Sequence, residues 1–231
     1  MLIDPFELKK FSKLHPYRLI WTGYSRLVDS YGRITQTPIG EKIEGVSPEN
    51  LFADRGSSLT DTAVTSNQAK LLELAVAATE RFIEPIVEIG SYRGVTTRQL
   101  ALATNRVVYA VDPYIGYGGW EADLAIFKER VESLANVKFL QETSGRAVKK
   151  INADLFSLIF IDALHDFANT YFDFMSWGAV LKPGGLIALH DVDDFPGTNL
   201  VCRRIIERND KYLVWGYCPN LAIFMKKGVE L

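Results

Sequence analysis

From about residue 61 onward the apolar positions of the chain alternate between two rhythms. Short runs, "PIVEI", "VVYAV", "VKFL", "SLIFI" and "GLIALH", are β-branched-rich or wholly apolar, as strands of a parallel sheet covered on both faces should be. Between them lie "TTRQLALAT", "EADLAIFKERVESL", "SGRAVKKI" and "FANTYFDFMSWGAVL", all with helical spacing. A further helix, "SNQAKLLELAVAATERF", is opened by Thr65 and Gln68 at capping-box spacing. The tail breaks the alternation: "YLVWGY", a turn at Pro219-Asn220, then "LAIFMK" predict an antiparallel hairpin. Residues 1–60 show no sustained period, and "GEKIEGVSPENLFADRGSS" reads as loop.

Strands alternating with helices imply right-handed crossovers. The expected fold is α/β: a Rossmann-like, doubly wound, mostly parallel seven-stranded sheet ending in the C-terminal hairpin. Two regions are expected, a segment 1–60 serving as lid, substrate contact or oligomer contact, and an α/β domain over 61–231.

Composition narrows the partners. The 231 residues are 48% hydrophobic and 23% charged, with a net charge of −2, so a nucleic-acid partner gains no support from charge. The N-terminus lacks the continuous apolar stretch of a signal peptide, and no later run approaches a membrane span. A cytoplasmic protein with no membrane partner is the expectation. Cys202 and Cys218 form neither a metal spacing nor a redox pair.

In a doubly wound sheet, ligands sit beyond the carboxyl ends of the strands. Those ends carry Glu88 and Gly90, then Asp112, Asp162, and His190 with Asp191. A dinucleotide fingerprint would be G-x-G-x-x-G, but Gly90 and Gly94 give only G-x-x-x-G, and Glu88 would face the phosphates. S-adenosylmethionine suits the pattern better. It has no phosphate, carries an ammonium and a sulfonium, and offers a ribose diol to Asp112. The glycines would let backbone approach it closely. Asp162 and Asp191, each following an apolar run, must sit at the cleft or be neutralised. Of three histidines, His15 is remote and reads as surface. His165 is either a base or a helix cap, and His190 either a ligand or a satisfied histidine beneath the loop. Tyr114, Tyr117 and Trp120 either wall the cleft or pack on the surface. "FDFMSW" reads as core, and "KKINAD" and "RRIIERNDK" as solvated helix faces.

"VEIGSYRGVTT", "VYAVDPY", "LIFIDALHDF" and "LKPGGLIALHDV" resemble, in order, the motifs of class I S-adenosylmethionine-dependent methyltransferases, over roughly residues 61 to 227. Within that class the chain is most similar to small-molecule O-methyltransferases of the catechol-type and macrocin/cephalosporin-hydroxylase-like groups. The resemblance implies Glu88, Gly90, Ser91, Tyr92 and Gly94 around the methionine moiety, Asp112 on the ribose and Ser144 near the adenine. It implies a divalent cation such as Mg²⁺ held by Asp162, His190 and Asp191, with Asp162 also serving cofactor and catalysis and His165 as the base. Catechol-type enzymes have oxygen ligands where His190 stands, which Asp193 or Asp194 could supply instead. The expected activity is methyl transfer to a hydroxyl oxygen of a small molecule, a sugar or secondary metabolite. The alternatives are an NAD(P)-dependent oxidoreductase and a non-catalytic S-adenosylmethionine-binding protein.

Overall fold

The computed structural model describes residues 4–8, 10, 12–116, 119–151, 155–208 and 210–228. Each apolar run becomes a strand: β1 (Ile86–Ile89), β2 (Val108–Val111), β3 (Val137–Leu140), β4 (Phe156–Ile161) and β5 (Leu181–His190). The hairpin supplies β6 (Tyr212–Cys218) and β7 (Leu221–Lys226). They form one seven-stranded sheet in the order β3-β2-β1-β4-β5-β7-β6. The first five are parallel, and β7 runs antiparallel to both β5 and β6. This is the doubly wound sheet with a terminal hairpin that the apolar pattern predicts.

Helices cover both faces: α3 (Ser66–Ala78), α4 (Val95–Leu102), α5 (Glu121–Val131), α6 (Ser144–Lys150), α7 (Phe167–Ala179) and α8 (Pro196–Arg208). Strand residues alternate between two apolar clusters. Val87 and Ile89 join Trp177, Phe174 and Leu200 on one face, while Ile86 and Leu158 join Leu71, Leu72 and Leu100 on the other. Chain order reverses between β1 and β4, so their carboxyl ends abut and leave a crevice there. No helix among the described residues is long and apolar enough to cross a membrane.

The N-terminal segment is more ordered than its irregular sequence predicts. It holds a short helix α1 (Pro5–Leu8) and a twenty-residue helix α2 (Pro16–Thr35). Apolar residues recur along α2 at three- and four-residue intervals from Tyr17 to Ile34, a period that reading residues 1–60 as irregular passes over. The helix packs inward through its other side: Val28 reaches the core cluster, and Gly32 lies so close to Pro196 that a Cβ would sit 2.9 Å from its carbonyl oxygen. After α2, single 3₁₀ turns at Ile39–Lys42 and Pro48–Asn50 interrupt the predicted loop. Ile39 is fully buried in the cluster that includes Val201 and Tyr217, and its amide donates to Asp193 Oδ1 at 2.7 Å. Leu51 pairs with Tyr217 beside β6.

Ile39 thus ties the segment to the α/β core. Ile39→Ala should lower unfolding free energy by about 2–4 kcal/mol, as for a filled core position, measured by urea denaturation. A change under about 0.5 kcal/mol would mean that the segment is separable from the core.

Candidate active site

The carboxyl ends of β1, β2 and β4 open into a cavity of about 410 Å³, within the range of small-molecule sites. Glu88, Gly90, Ser91, Tyr92, Gly94 and Asp112 all line it. So do Ser144, Asp162 and His165, so these sequence candidates share one cavity.

The glycines have a local cause. Gly90 has φ 93°, and a Cβ there would lie 1.9 Å from the carbonyl oxygen of Asp162. The abutting ends of β1 and β4 leave no room for a side chain, whatever the ligand. Gly94 has φ 75° and lies against the Phe127 ring, 2.8 Å from where its Cβ would be. Tyr92, Tyr114, Asp191 and Asn220 also have positive φ. Such backbone is uncommon outside glycine and concentrates where a site is held in shape.

Buried acids dominate the electrostatics. Glu88 is 2% exposed. Burial pushes its pKa up to about 8, with Asp162 and Asp112 adding to the rise against a hydrogen bond from the Thr97 hydroxyl. Asp112 accepts the amides of Tyr92 at 3.0 Å and Tyr114 at 2.9 Å, and burial still raises its pKa. Asp173 in α7 is raised to about 7 by burial, opposed by a bond from Ser144. Ser144 also accepts Trp177 Nε1–H at 2.8 Å. The guanidinium of Arg93, in the cavity lining, is bound to Asp61 and Asp123 at 2.7 Å each. A pyrophosphate would meet acids here and no unpaired arginine.

His165 and His190 both approach the strand-end acids, His165 from the cavity and His190 from beneath it. His190 is 1% exposed and does not line the cavity. Gln68 fixes its protonation: the Gln68 amide nitrogen donates to Pro219 O at 2.8 Å, and its oxygen accepts the Thr65 amide at 2.8 Å. That same oxygen faces His190 Nε2 at 3.1 Å, so Nε2 must donate. On the other side Nδ1 lies 3.1 Å from Asp162 Oδ1 and 3.5 Å from Asp191 Oδ1. A lone pair there would face two carboxylates, so this nitrogen donates as well. Burial lowers the pKa of His190, but the two carboxylates outweigh it and raise it to about 10. Both nitrogens are thus engaged by Gln68 and the acids, which favours the protonated ring and leaves no lone pair directed at the cavity.

From the cavity side His165 reaches the acids, with Nε2 3.1 Å from Asp191 Oδ2. Asp162, His165 and Asp191 each present a ligand atom within 4.8 Å of the others. His165 does not cap α7; Asp166 does, accepting the Asn169 amide at 3.0 Å. Asp193 and Asp194 are turned away. Asp193 holds the Ile39 amide and the Tyr217 hydroxyl, and Asp194 pairs with Arg55 at 2.7 Å.

Sequence reasoning passed over two other residues. Asn220 reads as a turn, yet its side chain donates to Asp191 Oδ1 at 2.6 Å and accepts the Asp193 and Asp194 amides. Asp173 reads as part of a core stripe; an acid between Phe172 and Phe174 was the available signal. Of the three loop aromatics, Tyr114 packs on Phe127 and Phe139. Trp120 is exposed and outside the cavity lining, and Tyr117 lies outside the described residues.

Residues 87–192 match a family model described as a methyltransferase domain. Among solved structures the chain is similar to the O-methyltransferase NovP, with 14% identity, a TM-score of 0.58, and 74% of this chain and 84% of that one covered. It is also similar to an rRNA methylase from Streptococcus thermophilus, at 14% identity and TM-score 0.56, covering 74% and 100%. Cofactor-bound Rv0187 from MTB aligns at 19% identity and TM-score 0.56, covering 74% and 84%. Among curated proteins no sequence match is found. At these identities the likeness is one of fold: the seven-stranded sheet with its terminal hairpin is the class I S-adenosylmethionine-dependent methyltransferase fold. An O-methyltransferase and an rRNA methylase fit comparably, so the fold does not separate acceptor classes.

The raised Glu88 pKa has a thermodynamic consequence. Between about pH 4.5 and 8 the unfolded chain loses this proton while the folded one keeps it, so stability falls as pH rises across that window. Glu88→Gln, which stays neutral, should remove that part of the slope. In ligand-free thermal melts the variant should exceed the parent at pH 8 and converge with it near pH 4.5. Parallel pH profiles for the two proteins would rule out a protonated Glu88.

Proposed function

We propose that the chain transfers a methyl group from S-adenosylmethionine to a hydroxyl oxygen of a small molecule, such as a sugar or secondary metabolite. The observation that carries the reading is the His165–Asp191 pair, 3.1 Å apart, with His165 in the same cavity as the glycine turn and Asp112. S-adenosylmethionine, when bound, supplies an electrophilic methyl group on a sulfonium. Catalysis then rests chiefly on alignment and on removal of one proton.

The residues present fit that cofactor. Glu88 lies near the expected position of the amino-acid end, where a cationic ligand would favour its ionised form. Asp112 keeps lone pairs beyond those used by the Tyr92 and Tyr114 amides and can accept a ribose hydroxyl. Asp4 Oδ2 is buried with no hydrogen-bond partner, close against Gly145 beside Ser144, where an adenine amino group would be a matching donor. Asp4 and Phe6 line the cavity, which supports residues 1–60 as its lid over the 61–231 domain. NovP, a fold neighbour, is by name an O-methyltransferase. An oxidoreductase on a dinucleotide is disfavoured by the acids and by the paired Arg93.

His165 takes the acceptor proton through Nδ1, while Nε2–H donates to Asp191. Asp191 orients the ring and compensates the charge that develops on it, as a carboxylate does for a catalytic imidazole. Its own carboxyl is held below the ordinary range: burial raises it, but His190, His165 and Asn220 together outweigh that. A second reading rests on the cluster of Asp162, His165 and Asp191. Two carboxylates and an imidazole suit a divalent cation, which would lower the pKa of a coordinated hydroxyl.

Calorimetric titration should show binding of S-adenosylmethionine and S-adenosylhomocysteine and none of NAD(H). Binding of NAD(H) alone would overturn the proposal. Asp112→Ala should weaken S-adenosylhomocysteine at least about tenfold, the scale of one charge-assisted bond. A 2′-deoxy analogue should be less affected, which separates ribose contact from loop damage. Labelled S-adenosylmethionine with a panel of hydroxylated small molecules reads the chemistry. His165→Gln should slow turnover by roughly 10²–10⁴ with S-adenosylhomocysteine affinity unchanged. Full turnover in a chelator assigns the proton step to the His165–Asp191 pair alone. Loss restored by a divalent ion assigns the cluster to a metal, and cofactor binding without turnover on any acceptor points to a binding protein.

A further inference from the structure

The outer surface of α2 carries a feature that the cleft does not use. Tyr17, Ile20, Tyr24, Leu27, Tyr31 and Ile34 are between 45% and 85% exposed. Their spacing alternates three and four residues through the whole helix, the a and d positions of a heptad. The helix is fixed from its other side by Val28, by Gly32 against Pro196, and by Asp29, whose Oδ1 accepts the Phe167 amide at 2.9 Å. The stripe is therefore a firm surface of the folded protomer.

Its size exceeds what a lone protomer exposes at random. Six side chains of this size at these exposures leave roughly 800 Å² of mainly apolar area, above the ~300–600 Å² largest patch of an ordinary monomer and equal to one side of a standard stable interface. We propose that this stripe is covered by the same stripe of a second copy, the two α2 helices lying antiparallel about a two-fold axis.

The order of residues selects that partner and that direction. Every a position is tyrosine and every d position is isoleucine or leucine. Parallel pairing would set tyrosine against tyrosine and aliphatic against aliphatic in alternate layers. Antiparallel pairing centred between residues 25 and 26 sets Tyr17 against Ile34, Ile20 against Tyr31 and Tyr24 against Leu27. Each layer then holds one ring and one aliphatic chain, with uniform volume along the seam. The flanking e and g positions, Trp21, Val28, Gly23 and Ser30, carry no charge, so no like-charge repulsion arises there. Arg18, Arg26, Arg33 and Asp29 all fall on b, c or f positions. Opposed helix dipoles also favour the antiparallel direction.

Sedimentation of the full chain should give a dimer at micromolar concentration. Leu27→Glu should give a monomer with unchanged circular dichroism and melting behaviour, because Leu27 is exposed in the protomer. Direction is read by cross-linking: mixed Ile20→Cys and Tyr31→Cys chains should form a disulfide, and neither should do so alone. Self-cross-linking of Ile20→Cys would indicate a parallel pair and overturn the arrangement. A monomeric parent protein, or a dimer unaffected by Leu27→Glu, would overturn the interface. Sedimentation of the monomer with anionic phospholipid vesicles, lost in Leu27→Glu, would reassign the stripe to a membrane surface and overturn it as well.

Discussion

A buried positive charge organises the carboxyl edge of this sheet. His190 ends β5 with Asp162 and Asp191 on one side of its ring and Gln68 on the other. Two carboxylates brought together in a partly dry crevice would repel each other and resist ionising. The imidazolium beside them offsets that repulsion, holds the Asp191 carboxyl below its ordinary range and ties the end of β4 to the end of β5. Its outer nitrogen is directed by a glutamine that also caps α3, so the helix start, the strand ends and the site charge form one unit. Removing any one member would leave a buried polar group unsatisfied, which is a large loss at any single site.

The same edge shows why the glycine turn does not by itself identify a ligand. Gly90 is demanded by the carbonyl of Asp162, a contact that belongs to the strand crossover and would exist with any cargo. What separates nucleoside classes is charge. Glu88, Asp112, Asp162 and Asp173 surround a cavity whose arginine is already bound to two other acids. Burial favours the protonated form of Glu88, and a cationic ligand would favour its ionised form. An anionic ligand would find no such compensation.

The sheet and its helices were legible because burial on two faces forces unbroken apolar strands, and amphipathic helices must alternate with them. The acids at the strand ends were legible because a charge closing "LIFI" or "LIAL" has few places to go. What stayed hidden was pairing across sequence distance. Nothing local distinguishes His165 from His190; only the third dimension shows that one ring faces the cavity and the other is enclosed by Gln68. Asn220 was visible as a turn residue, but its bond to Asp191 depends on the hairpin folding back over β5. The α2 helix was missed for a different reason. Its apolar residues keep helical spacing from Tyr17 to Ile34, but Gly23 and Gly32 within it and the absence of strands to alternate with masked that signal.

The same helix joins the periphery of the molecule to its chemistry. Asp29, on the inward side of α2, accepts the amide of Phe167 at the first turn of α7, two residues beyond His165. Tyr24, in the outer stripe, meets the Phe167 ring edge-on at 6.3 Å. On the neighbouring segment the His165 ring meets Phe195 at 4.5 Å, tilted by 36°, and Pro196, the next residue, is the one that Gly32 of α2 contacts. The loop presenting the proposed base is thus held between α2 and the start of α8. Whatever covers the outer stripe of α2 bears on that loop through a continuous packed path, one helix thick. A helix that contributes nothing to the cavity lining can in this way govern the placement of the proposed base.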